Sequence, residues 1–199
     1  GAVEIRDDSF LWGKGAVETR SLLKEQLAQN VRVAAIGPAG ENRVLFSGLI
    51  ADDDASGAAG FGAVMGAKNL KAIAVTGDRL PQPADRQRLR DLTVYIRQLL
   101  GSTPRLDPVL EIPPGAKRDV CYACIGCDMR TSYEASDGTR GKFACGAASF
   151  YQEPARRYYG QTTEVPFRVE RLCDDYGVDV YAIASTMTLL ARCAGAGLI

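Results

Sequence analysis

Apolar and polar residues alternate along the first part of the chain in short runs that end at glycine, proline or asparagine. Such runs predict strands, whereas leucines three to four residues apart predict a helix. The sequence predicts strands over 2–6, 31–36, 43–50 and 70–76 and a helix over 18–29. A turn over 37–42 favours a hairpin between the second and third strands, and the fourth strand is apolar enough to be buried.

Helical spacing of apolar residues dominates the second part of the chain. Leucine and isoleucine recur at this spacing over 85–100, 101–115 carries four prolines and is predicted to be a loop, and a helical pattern resumes at Phe167. The last helix is predicted to bury a stripe of Val180, Ala184, Met187, Ala191 and Ala194. The predicted fold class is α+β, with a β-rich portion over 1–80 followed by a mainly α-helical domain over 81–199.

Composition and charge exclude several classes of function. The 24 basic and 24 acidic residues cancel, which argues against a nucleic-acid or anionic-membrane partner. No apolar run could span a bilayer, and no signal peptide pattern opens the chain. The chain contains no histidine, which excludes His-dependent catalysis and His-ligated metals. It begins with Gly1 rather than methionine, so we expect a fragment of a larger metal enzyme.

Cysteines are the most reactive residues that remain. Cys121, Cys124 and Cys127 lie in one short loop, and their spacing is typical of the start of an iron–sulfur loop. A four-cysteine zinc site and a redox disulfide are the alternatives. A fourth ligand would come from Cys145, Cys173 or a cysteine outside this chain. The small number of cysteines for this length favours a reducing, cytoplasmic compartment over a secreted disulfide scaffold.

Two further motifs combine glycine with chemistry-bearing residues. The glycine-rich stretch 57–66 allows a close approach of backbone to an anionic ligand, or simply close packing. Asp174 and Asp179 flank Gly177, which predicts a helix end at the glycine and an N-cap at Asp179. The functional alternative is that the two carboxylates accept hydrogen bonds from the N–H groups of a heterocycle.

Several segments together resemble the tungsten-containing aldehyde:ferredoxin oxidoreductase family. Residues 62–73, GAVMGAKNLKAI, are similar to its GAVMGSKNLKAI signature, and 11–14 (LWGK) and 36–42 (IGPAGEN) are similar to two further segments. Residues 174–179, DDYGVD, resemble its DxxGLD pterin motif. The joint occurrence of these motifs in this order is specific to that family.

The resemblance implies a three-domain enzyme, with the end of the N-terminal domain over 1–80 and the first part of the helical domain over 81–199. It implies oxidation of an aldehyde to a carboxylate by a tungsten (or molybdenum) bis-pterin cofactor. Electrons would pass through a [4Fe-4S] cluster to ferredoxin or to an iron–sulfur electron-transfer subunit. A homo-oligomer is compatible with it, and the isolated chain is expected to be inactive.

The resemblance also implies roles for individual residues. Cys121, Cys124 and Cys127 would ligate the cluster, and Asp174, Gly177, Val178 and Asp179 would hold one pterin. The carbonyl of Ala55 would contact a magnesium ion that bridges the pterin phosphates.

This sequence departs from the family pattern at several positions. Cys124 and Cys127 are separated by two residues, one fewer than is common in the family, and Ala58 stands where the glycine-rich turn usually carries arginine. The carboxylates of a further family segment are absent over 147–150. An aromatic acyl-CoA reductase of the same fold is therefore an alternative. The others are a non-catalytic iron–sulfur electron-transfer module and a zinc-stabilised binding domain.

Overall fold

The computed structural model describes residues 2–79, 81–102, 113–119, 121, 130–144 and 149–199. Its helices are α1 (Ala16–Gln26), α2 (Pro38–Glu41), α3 (Phe61–Ala67), α4 (Arg86–Ser102), α5 (Ser149–Tyr159), α6 (Val165–Tyr176) and α7 (Val180–Gly195). Its strands are β1 (Arg32–Ala35), β2 (Leu49–Ala51), β3 (Ser56–Gly57), β4 (Ala72–Val75), β5 (Lys117–Arg118), β6 (Thr131–Glu134) and β7 (Arg140–Ala144). The mixed fold class predicted from the sequence is confirmed.

The chain forms two compact units, one of Gly1–Thr76 with Arg171–Ile199 and one of Gly77–Glu170. The predicted domains, 1–80 and 81–199, concern the whole enzyme of the family and remain a prediction.

The first unit contains a four-stranded antiparallel sheet in the order β3-β2-β1-β4. Ala34 of β1 faces Ala51 of β2 on one side and Ile73 of β4 on the other. The antiparallel neighbourhood expected for the second and third predicted strands is therefore confirmed. Leu23 of α1 packs with Leu11, Val31 and Val33, so that α1 and the sheet share one apolar core.

The second unit contains a three-stranded antiparallel sheet in the order β5-β6-β7. Phe143 of β7 and Phe167 of α6 are fully buried, and Tyr133 lies against both rings, 5.2 Å from the Phe167 ring centroid. Sequence reasoning missed this sheet because the segments TSYE and RGKFA show little apolar alternation.

Three predicted elements of the first unit are wrong in extent or type. Residues 2–6 form no strand, and Val3 and Ile5 are exposed. The strand predicted over 43–50 is reduced to Leu49–Ala51, and the predicted turn over 37–42 contains the helical turn α2.

Two predictions of burial are also wrong. Ile73 and Val75 of β4 are 45% and 57% exposed, and β4 lies at one edge of the sheet. Asp179 is the N-cap of α7, as predicted, but α7 buries none of its residues in this chain. Among the described residues, no helix is long and apolar enough to cross a membrane.

Candidate cofactor site

The segment 174–179 forms the junction between α6 and α7. Gly177 adopts a left-handed φ of 69°, the backbone N–H of Val178 donates to the Cys173 carbonyl, and that of Gly177 donates to the Asp174 carbonyl. This is a Schellman helix end, which satisfies carbonyls that the helix leaves without partners. Oδ1 of Asp179 then accepts from the backbone N–H of Tyr181 at 2.9 Å. The helix end and the N-cap predicted from the sequence are both confirmed.

This junction docks on the segment 46–48, just before β2. The backbone N–H of Gly48 donates to the Gly177 carbonyl at 2.7 Å, and that of Asp179 donates to the Phe46 carbonyl at 2.9 Å. A Cβ on Gly177 would lie 2.7 Å from the backbone nitrogen of Gly37, so only glycine fits there. The backbone therefore holds the aspartate junction closely against the N-terminal residues.

The glycine-rich stretch meets the same segment from another side. The backbone N–H of Gly62 donates to the Ser47 carbonyl at 3.3 Å, and a Cβ on Gly62 would lie 2.6 Å from the Gly48 carbonyl oxygen. A Cβ on Gly66 would lie 1.9 Å from the carbonyl oxygen of Gly40. The glycine-rich stretch and the aspartate junction thus share one neighbour, and these glycines allow close packing of α3.

The two aspartates have different surroundings. Asp174 is 5% exposed, and its Oδ2 lies 3.6 Å from Nη1 of Arg171. Arg171 also contacts Oδ2 of Asp54 at 2.5 Å, and Oδ1 of Asp54 contacts Arg20 at 2.6 Å. Asp179 is partly exposed, and its carboxylate is used as the helix cap. Asp174 therefore belongs to a buried charged cluster, whereas Asp179 lies at the surface of this chain.

The carbonyl of Ala55 accepts a hydrogen bond from the backbone N–H of Ala51 at 2.7 Å. A carbonyl oxygen has two lone pairs, so this bond leaves one for a cation. Carboxylates accept hydrogen bonds through about four lone-pair positions, so that of Asp179 can serve N–H donors as well as the helix. The Asp179 carboxylate is therefore an accessible hydrogen-bond acceptor at this junction, and its role toward a pterin remains a prediction.

Three segments singled out in the sequence meet at a buried ion pair. Nζ of Lys71 lies 2.5 Å from Oε1 of Glu41, with the side chains 8% and 4% exposed. Glu41 also accepts from the backbone N–H of Gly13 at 2.9 Å, and Lys71 donates to the Lys14 carbonyl at 2.6 Å. Sequence reasoning missed this contact, although each partner lies within one of the family-like segments.

Among the predicted cluster ligands, Cys121 lies in the described part of the chain, whereas Cys124 and Cys127 lie outside it. Cys145, a candidate fourth ligand, also lies outside it. Within the described ranges, no group of three or more Cys, Asp or Glu side chains could hold a metal ion. The set of cluster ligands therefore remains a prediction.

Cys121 carries a free thiol beside a buried arginine. Nη1 of Arg130 donates to Sγ of Cys121 at 3.4 Å, and Nε of Arg130 lies 3.0 Å from Oδ2 of Asp119. Burial alone would lower the pKa of Arg130, but hydrogen bonds to Asp119 and Cys121 outweigh it and raise the pKa above its ordinary value. The guanidinium is therefore a fixed positive charge beside the sulfur of Cys121.

Comparison with known proteins agrees with the motif resemblance. Residues 1–77 match the family model described as "Aldehyde ferredoxin oxidoreductase, N-terminal domain". The chain is 46% identical over 109 residues to the tungsten-containing aldehyde ferredoxin oxidoreductase of Thermococcus kodakarensis. It is 48% identical over 109 residues to that of Pyrococcus furiosus. Each match covers 54% of this chain but 17% of the relative, so the chain corresponds to a small part of those proteins.

A third curated relative and one solved structure extend this comparison. The chain is 34% identical over 105 residues to the "Aliphatic sulfonate oxidoreductase, WOR-like subunit" of Pyrococcus furiosus, covering 45% of this chain and 17% of the relative. It also aligns over 100% of its length with 37% of a chain of the active site complex BamBC of benzoyl coenzyme A reductase. That alignment has a TM-score of 0.76 and 22% identity, and it therefore shows a shared fold.

Proposed function

We propose that this chain, whose residues 1–77 match the aldehyde ferredoxin oxidoreductase N-terminal family model, forms part of a tungsten-pterin oxidoreductase acting on aldehydes. The reaction would convert an aldehyde and water into a carboxylate with the release of two electrons and three protons. The electrons would leave one at a time through a [4Fe-4S] cluster to ferredoxin.

The observation that carries this proposal is the docking of the junction 174–179 on the segment 46–48. Backbone hydrogen bonds at 2.7 and 2.9 Å hold Gly177 and Asp179 against residues that the glycine-rich stretch also contacts. A segment that resembles a pterin motif therefore lies beside the glycine-rich stretch, whose Gly62 and Gly66 are used for close packing, within one unit. This juxtaposition supports a heterocyclic cofactor at the junction.

When bound, the tungsten-pterin group supplies the two-electron chemistry, and the protein positions it. Asp179 would accept from the ring N–H groups, with Asp174, Gly177 and Val178 holding the junction that presents it. The Ala55 carbonyl would face the magnesium ion. Cys121, with Cys124 and Cys127, would ligate the cluster.

The first test is anaerobic purification of the full-length protein with elemental analysis and an aldehyde-dependent dye-reduction assay. Tungsten together with iron, and reduction of a viologen dye on addition of aldehyde, would support the proposal. Iron without tungsten would indicate the electron-transfer module, and zinc alone would indicate the binding domain. Either of these results would reject the oxidoreductase proposal.

Asp179 permits a test that separates its helix cap from a role in cofactor binding. Serine caps helices about as well as aspartate, so Asp179→Ser should leave the free energy of unfolding within about 0.5 kcal/mol. It removes the acceptor carboxylate, and we expect a tenfold or greater loss of tungsten, in the range of about 10–100-fold seen when supporting groups are removed. Tungsten content and urea unfolding are measured on the same preparations.

The matched variant Asp179→Ala removes both the cap and the carboxylate. It should lose as much tungsten as Asp179→Ser and also about 1 kcal/mol of stability. If Asp179→Ser retains full tungsten while Asp179→Ala is only less stable, Asp179 is a helix cap and has no role toward the cofactor.

The second candidate function is reduction of an aromatic acyl-CoA thioester. The fold match to a chain of a benzoyl coenzyme A reductase complex over the whole length of this chain favours it, together with Ala58 in the glycine-rich stretch. The two functions are separated by assaying the same preparation with an aldehyde and oxidised viologen, and with benzoyl-CoA and a strong reductant. Turnover with only one of these pairs would decide between them.

A further inference from the structure

Arg130 is a buried arginine whose contacts include Asp119 and Cys121, and the strand pairing of the second unit holds it beside them. Its side chain is 4% exposed, whereas that of its carboxylate partner Asp119 is 41% exposed. The pairing of Arg118 with Thr131 brings the two residues next to each other, and the backbone N–H of Asp119 donates to the Arg130 carbonyl at 3.1 Å. The guanidinium is thus fixed by both backbone and side chain.

One side of the Arg130 guanidinium faces the sulfur of Cys121. Its Nε is occupied by Asp119 at 3.0 Å, and Nη1 donates to Sγ of Cys121 at 3.4 Å. This second hydrogen bond holds a buried positive charge against the cysteine sulfur.

We propose that Arg130 is a positioning residue for Cys121 and raises the reduction potential of the iron–sulfur cluster that Cys121 would ligate. This inference rests on the cluster of the proposed function. Reduction adds one negative charge to a cluster, and a nearby positive charge and an N–H···S hydrogen bond stabilise the reduced form more than the oxidised form. Asp119 offsets part of that positive charge.

The two partners should therefore shift the potential in opposite directions. In Arg130→Met the charge and the hydrogen bond are lost, and the equilibrium constant for one-electron reduction should fall about tenfold, which is a shift of about 59 mV to more negative potential. In Asp119→Asn the positive charge of the guanidinium is less compensated, and the reduction potential of the cluster should shift to more positive values. A purely structural ion pair would lower stability in both variants and leave the potential unchanged.

The experiment is a redox titration of the full-length holoprotein, followed by electron paramagnetic resonance, with iron content measured first. Arg140→Met is the matched control, because Arg140 lies on the same sheet, pairs with Glu134 and is largely exposed. It should leave the potential unchanged. If Arg130→Met does not retain iron, Asp119→Asn alone decides the matter through the sign of its shift.

The results that would overturn the inference differ in what else they reject. Wild-type protein with full iron and unchanged potentials in both variants would reject the role of Arg130 only. Wild-type protein without iron, or Cys121→Ser with iron content as high as that of Cys193→Ser, would reject the cluster of the proposed function as well.

Discussion

Glu41 is the residue at which three family-like segments come into contact. Its carboxylate accepts from Gly13 in the segment LWGK and pairs with Lys71 at the end of GAVMGAKNLKAI. Both side chains of the pair are more than nine-tenths buried. The pattern that resembles a family signature is therefore, at this residue, a structural contact rather than a site of chemistry.

Removing one partner of this pair should be strongly destabilising. Lys71→Met leaves the Glu41 carboxylate buried without its cation, and we expect a loss of about 3–5 kcal/mol in the free energy of unfolding. Lys68→Met is the matched control, because Lys68 lies in the same motif and is exposed. Urea unfolding of the two variants should differ by most of that amount. Equal stability would mean that the pair contributes nothing.

At the scale of elements, a network ties the turn between β6 and β7 to the start of α6. Glu164 accepts from the backbone N–H of Ser136 at 2.7 Å, from the hydroxyl of Tyr133 at 3.0 Å and from Arg168 at 2.9 Å. The Ser136 N–H is the largest cause of a pKa of Glu164 below its usual value, with burial opposing it. The hydrogen bond from Arg168 likewise lowers the pKa of Asp137.

This network should make the stability of the second unit depend on pH. Because the folded-state pKa of Glu164 is lowered, its contribution is present above the unfolded-state value and is lost as pH falls through the folded-state pKa. Glu164→Gln should therefore destabilise the protein at pH 7, and the difference from wild type should shrink on acidification below about pH 4. Urea unfolding at pH 7 and pH 3 measures this difference.

The control for that experiment is Glu153→Gln. Glu153 forms an exposed pair with Arg157 within α5, and such pairs contribute about 0.3–0.5 kcal/mol. A pH-independent effect of Glu164→Gln, equal to that of the control, would show that the carboxylate charge has no role in holding the turn.

The sequence was most informative for elements defined by local pattern. Leucine spacing predicted α4, which extends over Arg86–Ser102, and the run VRVAAI predicted β1. The segment 43–48 failed as a strand because Val44 and Ser47 donate their N–H groups to the carbonyls of Ala39 and Val44 in local turns. Gly48 donates to the Gly177 carbonyl, 129 positions along the chain, and no local pattern contains that partner because tertiary packing fixes it.

The candidate site, like the fold, was predictable where it depends on local sequence pattern. Asp179 as a cap and Gly177 as a helix end follow from local chemistry, and both are observed. The burial of Asp174 beside Arg171 could not be predicted, because it depends on Asp54 from a distant part of the chain. Arg130 was missed for a related reason, since a lone arginine before a weak strand carries no signal until its strand is paired.

At the scale of the whole chain, the segment Arg171–Ile199 belongs to the same unit as Gly1–Thr76. Two acidic side chains add to the backbone hydrogen bonds that connect these segments. Oδ1 of Asp175 accepts from the backbone N–H of Val17 at 3.1 Å, near the N-terminus of α1. Asp54 contacts both Arg20 and Arg171, the second across 117 positions of sequence. The long-range organisation of the first unit therefore depends on buried charge as well as on the apolar core.

Asp54 provides the sharpest test of that organisation. Its φ of 55° is left-handed, a conformation that asparagine also tolerates, so Asp54→Asn removes the charge without straining the backbone. Two guanidinium groups would then share one neutral amide, and we expect a loss of about 3–5 kcal/mol in the free energy of unfolding. Because Arg171 loses its shorter ion pair and keeps only the longer contact with Asp174 among those described, amide exchange should increase over 171–178 more than in β1. Asp52→Asn is the control, since Asp52 contacts Lys24 and the backbone N–H of Val33. Asp52→Asn should increase amide exchange in β1 instead. Uniform exchange in both variants would mean that Asp54 does not hold the C-terminal segment in place.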